Sequence, residues 1–267
     1  MLGRVVPVID ASYVLAGAFT GFVVGLTGVG GGALMTPILL LFFGISPTTA
    51  IATDLWFAAI TKIAAARIHS KAGQIDWQVV KRLWCGSLPM AFLVVVLVSL
   101  GSKVQEIGWL TRAIGIVVLI TALGLLVAPK LLSLARNHRL NNQKKFKAMQ
   151  PALTVVAGAV LGICVALTSV GAGALGSVMM IYLYPLRMTP HRLVATDIVH
   201  AIPLAVVAGL SYLFAGMGDA KILASLLVGS IPAVIAGSVL AGKIEGRWIQ
   251  IALAIVLLIA GLKVIAK

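Results

Sequence analysis

Charge is what this sequence lacks. Only 10% of its 267 residues are Asp, Glu, Lys or Arg, against 61% apolar, and the acids are scarcest, seven in all. A soluble domain carries about 25% charged residues, so a soluble globular fold is excluded. Uncharged runs fill 11–53 and 151–186, and each exceeds the roughly 20 residues that one helical crossing of a bilayer needs. Cysteine is nearly missing too. Cys85 and Cys164 stand alone in apolar segments, with no CxxC and no Cys/His cluster, which leaves two free, buried packing cysteines as the expectation. No cofactor is implied. No His/Asp/Glu metal spacing or nucleophile–base pair is visible, so the chain does not read as an enzyme.

What is there is positive charge, a net +14. In a soluble protein such an excess suggests nucleic acid. Here the cations gather in loops between apolar segments, as cytoplasmic loops require, with a smaller share available to draw anions toward a pathway. The bilayer is the expected partner and nucleic acid is not. Arg4 before an apolar run would suit a signal peptide, but the same segment recurs in mid-chain, which argues for a retained span.

That recurrence runs through the whole chain. TGVGGGAL at 27–34 returns as TSVGAGAL at 168–175, ATD at 52–54 as ATD at 195–197, AGQID at 72–76 as AGMGD at 215–219, and GSLP at 86–89 as GSIP at 229–232. The offset is 141 residues for the first pair and 143 for the later ones. Two homologous halves follow, 1–129 and 151–267, joined by a basic cytoplasmic linker at 130–150. Each half offers five apolar segments, at 11–27, 33–46, 49–67, 79–100 and 108–128, then 151–168, 174–186, 193–214, 221–241 and 248–266. If the short first pair counts twice, each half has odd parity and the repeats are inverted. If it makes one crossing, each half has four spans and the repeats are parallel. Either arrangement leaves the same number of Lys and Arg in cytoplasmic loops. Length favours the first, because one span cannot house the run 151–186. The fold class is an all-α polytopic membrane protein of eight to ten spans, with inverted repeats and glycine-broken helices at the centre.

The glycine clusters carry the functional reading. Gly28, Gly30 and Ala33 fit G-x-G-x-x-A, but no soluble strand precedes them and no acid follows about 20 residues on, so a dinucleotide loop is set aside. Backbone that is not helical is tolerated in a bilayer only where it is buried in protein or lines a wet cavity. Short Gly-interrupted segments at matching places in two halves point to a transporter site. A helix that starts just after such a break aims its free N–H groups and positive dipole end at it, which suits an anion. The candidate substrate residues of the first half are Thr27, Gly28, Gly30, Gly31, Gly32 and Thr53. Those of the second are Thr168, Ser169, Gly171, Gly173 and Thr196. Close helix packing is the competing use of glycine, and Gly21, Gly25 and Gly32 suit it.

Charges at depth are functional candidates by default. Asp54 and Asp197 are repeat mates near the start of the third segments. Each could cap its own helix, couple an ion or touch substrate. Lys62, eight residues after Asp54, stands about 12 Å along the helix from it and pairs with it only if the helix bends; it could also snorkel to the interface. His200 shares a face with Asp197. The tryptophans, Trp56 and Trp84 among them, are expected as interfacial anchors.

The repeated glycine cluster after a first apolar segment, the Pro37 that follows it, and ATDL/ATDI together resemble the TauE/SafE sulfite exporter family, over nearly the whole chain. The resemblance implies a multi-pass permease of a prokaryotic inner membrane that moves sulfite, sulfonates, thiosulfate or another small anion. The family usually shows Ser where this chain has Asp54 and Asp197. Two ionised acids would repel an anion, so here they would be protonated, paired or set back, and cation coupling gains weight. The expected function is a secondary transporter of a small sulfur anion by alternating access, with possible proton coupling. A passive anion channel, or a transporter of a small carboxylate or a cation, stands as the alternative.

Overall fold

The computed structural model describes residues 9–27, 32–69, 75–101, 107–141, 143–171, 173–241 and 246–266. Among the described residues there are ten α-helices and no strand: α1 (Ala11–Thr27), α2 (Gly32–Phe42), α3 (Pro47–His69), α4 (Trp77–Gly101), α5 (Ile107–Asn141), α6 (Gln143–Thr168), α7 (Ala174–Leu183), α8 (Pro190–Phe214), α9 (Ala220–Ala241) and α10 (Gly246–Ile265). Four of them hold apolar stretches of membrane-spanning length, Trp77–Val98, Lys147–Thr168, His191–Phe214 and Ala220–Leu240. The outside is apolar: Leu15, Phe42 and Phe214 are more than 70% exposed. In water that surface would aggregate, while in lipid it is the matching solvent.

Two boundaries differ from expectation. The second segments are shorter than 33–46 and 174–186. α2 stops at Phe42 because Gly44 takes a left-handed φ of +62°, and α7 stops at Leu183, two residues before Pro185, which has no N–H to continue a ladder. At 11 and 10 residues each is about 16 Å long, half a bilayer core. The basic stretch 130–150, expected as a linker, is helix up to Asn141 and again from Gln143. Its Leu, Ala, Arg and Lys residues are strong helix formers, and no glycine interrupts them.

Helix directions follow from who meets whom. In α3 and α8, Trp56 Nε1 donates to Gly209 O at 3.2 Å while Lys62 meets Asp197, so rising numbers meet falling ones and the helices run antiparallel. In α5 and α10, Gly115 faces Ile265 and Gly261 faces Leu119, again antiparallel. In α1 and α9, Gly17 faces Leu226, Gly21 Ser230 and Gly25 Val234, so these run parallel. In α4 and α6, Leu83 faces Gly158 and Ser87 faces Gly162, also parallel. Five residues separate α8 from α9, too short a reach to bring the chain back to the far end of a span, so α9 runs against α8 and with α3. Thus α1 and α3 share a direction, and α2 returns between them.

The tight contacts explain several glycines. A Cβ on Gly17, Gly86, Gly158 or Gly229 would run into the backbone of the facing helix. Small residues let helices touch where lipid offers no hydrophobic drive for association. Gly21 and Gly25 belong to this packing set, as their spacing allows.

The cysteines correct the expectation of burial. Cys85 is exposed and Cys164 only half-buried. Cys85 sits on the outer face of α4, where an apolar thiol meets lipid at no cost. Trp56 and Trp84 are not interfacial anchors either. Trp56 bridges to α8, and Trp84 Nε1 donates to His200 O at 3.1 Å, while Trp77 and Trp109 are exposed near helix starts.

Candidate functional site

α6 ends at Thr168 and α7 begins at Ala174. Between them Ser169 sits at φ +57° and Gly171 at φ +117°, a backbone path that Gly171 follows freely and that strains a side chain at Ser169. Gly173 is the N-cap of α7. Gly176 N donates to Gly171 O and Ser177 N to Gly173 O, both at 3.0 Å, so the amides ahead of them belong to the open start of a helix. Thr168 does not offer its hydroxyl to the break. Its Oγ1 donates to Cys164 O at 2.6 Å and accepts from Val170 N at 3.1 Å. Ser169 Oγ, by contrast, is buried without a hydrogen-bond partner. In the first half Gly28, Gly30 and Gly31 lie outside the described residues. Thr27 closes α1, with a side chain likewise outside them, and Gly32 opens α2.

Asp54 is fully buried, seven residues into α3. It does not cap its own helix; it serves the start of another. Its Oδ2 accepts from Thr36 Oγ1 at 2.6 Å and from Thr36 N at 3.2 Å, on α2. Ser169, from the second half, stands beside the same carboxylate without reaching hydrogen-bond geometry, and Oδ1 has no partner. Asp197 does not cap α8 either; Thr189 does, accepting from Arg192 N. Asp197 is paired with Lys62: Nζ to Oδ2 is 2.9 Å, with the side chains 5% and 0% exposed. Lys62 therefore does not snorkel. Removing one member of such a buried pair costs on the order of 3–5 kcal/mol, because the other charge is left alone.

The repeat mates are used differently. Ser177, mate of Thr36, leaves Oγ without a partner, as does Oδ1 of Asp197, which lies against Gly176. Lys62 has Ala205 as its mate and His200 has Phe57. His200 turns away from Asp197: its Nε2 is 3.0 Å from Ser87 Oγ, while Nδ1 is unpartnered. Thr53 Oγ1 is buried and unpartnered. Thr196 is committed elsewhere, since its Oγ1 accepts from Asp76 N at 3.1 Å.

That bond leads to a cluster the sequence showed only as a repeat landmark. Asp76, 1% exposed, receives a hydrogen bond from Arg187 Nη2 on Oδ1 at 2.7 Å and is ion-paired with Arg192, whose Nη2 lies 3.1 Å from Oδ2, and Val79 N bonds Oδ1 to start α4. Arg187 also donates to Gln78 Oε1 at 2.9 Å. Tyr184 OH takes Arg82 Nη1 at 3.1 Å and lies 2.7 Å from Thr154 Oγ1. At the opposite end, mates Tyr13 and Phe43 merely stack, with centroids 4.4 Å apart. A cavity of about 550 Å³ opens there, bordered by Gly44, Ser46, Thr111 and Arg112.

The family model for the sulfite exporter TauE/SafE matches residues 13–264. The chain belongs to the TauE/SafE sulfite exporter family. It is 38% identical over 261 residues to a probable membrane transporter protein, YjnA, of Bacillus subtilis strain 168, covering 96% of this chain and all of that one. It is 30% identical over 166 residues to a probable membrane transporter protein of Haemophilus influenzae, over 60% and 58% of the two chains. No solved structure matches it. This TauE/SafE member is thus a multi-pass membrane transporter.

Proposed function

We propose that the protein is a secondary transporter of a small anion, most readily a sulfur oxyanion or organosulfonate, working by alternating access in the plasma membrane of a prokaryote. One observation carries the reading. Charged side chains inside a membrane are functional by default, and here Asp54 and the Lys62–Asp197 pair are buried where α3 crosses α8, with Ser169 of the α6–α7 break beside Asp54 and Gly176 of α7 against Asp197.

Two further features support it. Equivalent segments α3 and α8 run antiparallel, as do α5 and α10, which favours reading 1–129 and 151–267 as inverted halves joined by a basic connection. The clamp of Arg187 and Arg192 on Asp76 ties the two halves together at one end of the bundle, the kind of contact that closes one side in alternating access.

The test is uptake into proteoliposomes of labelled sulfite, thiosulfate, a short sulfonate and a small carboxylate, with and without a pH gradient. Saturable, gradient-dependent uptake of one sulfur anion is expected. Gradient-independent flux in both directions would make the protein a passive channel, and no anion flux at all would sink the reading. Gly171→Leu, which forces a side chain onto φ +117° with Leu175 only 3.2 Å from the new Cβ, should lower uptake by about a hundredfold.

A further inference from the structure

Lys62 and Asp197 are bound to each other, so neither is free for a guest, and the arrangement is not repeated. At the equivalent place in the other half, Ala205 stands where Lys62 would be, and Asp54 is met by the N–H and hydroxyl of Thr36. Among the described residues, Lys62 and Asp197 are the one ion pair with both members buried. From this we infer that Lys62 is the countercharge of the transported anion and that Asp197 releases it by taking up a proton, so that one monoanion and one proton cross together. The inference rests on the transport reading above and goes on to fix its stoichiometry and substrate charge.

Four occupancies are conceivable. Empty, the ammonium and carboxylate neutralise each other. Loaded, Asp197 has gained a proton on its carboxylate, Lys62 keeps all of its own, and the ammonium faces the anion. Both states are neutral. A proton without an anion leaves a bare ammonium in an apolar interior, and an anion without a proton sets two negative charges on one positive. Each unbalanced state carries the cost of an unpaired charge in the membrane, so only the neutral states are free to change sides. No bond other than the O–H of Asp197 is made, and nothing is oxidised.

The surroundings allow the exchange. Asp197 Oδ1 is unpartnered against Gly176, where a Cβ would stand 3.0 Å from it, so no side chain blocks a proton there. Ser177 Oγ and His200 Nδ1 are unpartnered nearby. The titratable group that feels the pair is His200 from α8, held through Nε2 by Ser87 of α4, while Asp54, about two turns before Lys62 on α3, is held by Thr36 of α2. α2 has no charged residue, α7 none, and α9 only Lys221 at its start. α6 brings Cys164 near the break. With one cation available, the site fits a monoanion such as a sulfonate or hydrogensulfite and disfavours a dianion.

The experiment uses methanesulfonate, an anion at every working pH, with hydrogensulfite and sulfate beside it. Uptake and lumenal acidification are followed together in proteoliposomes clamped at zero voltage, and binding is measured by calorimetry in two buffers of different ionisation enthalpy. We expect one proton taken up per methanesulfonate both in binding and in flux, and at least about a tenfold preference over sulfate. Asp197→Asn should bind methanesulfonate with no proton uptake and lose proton-driven accumulation, Asp197→Glu should keep both, and Lys62→Gln should lose binding. Wild-type flux without proton movement would overturn the inference and leave the transporter standing. Proton-linked binding without flux would overturn the transport reading and, with it, the joint crossing, and neither binding nor flux of any anion would overturn both. Because the wild-type stoichiometry decides by itself, a variant that fails to fold does not protect the inference.

Discussion

Asp76→Ala should open the protein on its basic face, raising labelling of Cys164 by a membrane-impermeant maleimide added from that side by about tenfold in a Cys85→Ser background. Cys164 is a native reporter of the break, since a Cβ on Gly171 would lie 3.7 Å from its own. Asp76 is buried while the arginines that hold it are more than one-third exposed. Losing the acid therefore strands no buried charge, because water takes over the two guanidinium groups. What disappears is the tie. Two part-exposed ion pairs contribute roughly 0.2–1 kcal/mol each, and the lost cap on Val79 N adds about 1 kcal/mol, so a shift near 1.4 kcal/mol, a factor of about ten, is within reach. Asp76→Asn keeps the capping oxygen and loses the charge, and should fall between. Arg187→Ala alone should do less, since Arg192 still reaches the carboxylate. Labelling unchanged in Asp76→Ala would mean that the cluster is not a gate.

The contrast between this clamp and the two glycine breaks shows what a sequence discloses. The broken helices, the ten segments and the depth of Asp54 and Asp197 are periodicity and composition, and those are local. Partnership is not. Lys62 and Asp197 lie 135 positions apart, and helical spacing could only say that Lys62 does not reach Asp54. The capping role weighed for both aspartates came from their places near segment starts, whereas α3 and α8 begin seven residues earlier and Asp54 attends α2 instead. One signal was available: Thr36 and Ser177 are repeat mates, both hydroxyls inside otherwise apolar helices. Thr168 and Thr196 show the same limit, since spacing puts their hydroxyls beside the glycine and ATD motifs but says nothing of the bonds they make, Thr168 donating to Cys164 O and Thr196 accepting from Asp76 N. The arginine clamp left no sequence trace beyond the landmark itself, because Arg187 and Arg192 look like ordinary residues of a cytoplasmic loop.

Gly229→Ala should lower the midpoint of thermal unfolding in detergent by on the order of 10 °C, while Gly124→Ala should leave it unchanged or slightly raised. Both glycines are inside helices, so propensity alone favours alanine at each. They differ in what the new methyl group meets. At Gly124 the nearest atoms are side-chain carbons of Leu175 and Val178 at 3.7 and 4.0 Å. At Gly229 it would collide with the carbonyl of Val14, backbone that cannot turn aside. Overpacking costs about 1–3 kcal/mol where side chains can adjust, and the upper end applies where only whole helices can. Gly86, its repeat mate, meets Val155 O in the same way and should respond alike. Equal shifts at Gly229 and Gly124 would show that α1 and α9 are not locked together. If they are locked, the bodies that move cannot be the two sequence halves, since α1 is bound to α9 and α4 to α6 across them. On the alternating-access reading the crossing of α3 and α8 is a seam between the halves held by side chains, the bond from Trp56 to Gly209 and the pairing of Lys62 with Asp197, and those are contacts that can be exchanged.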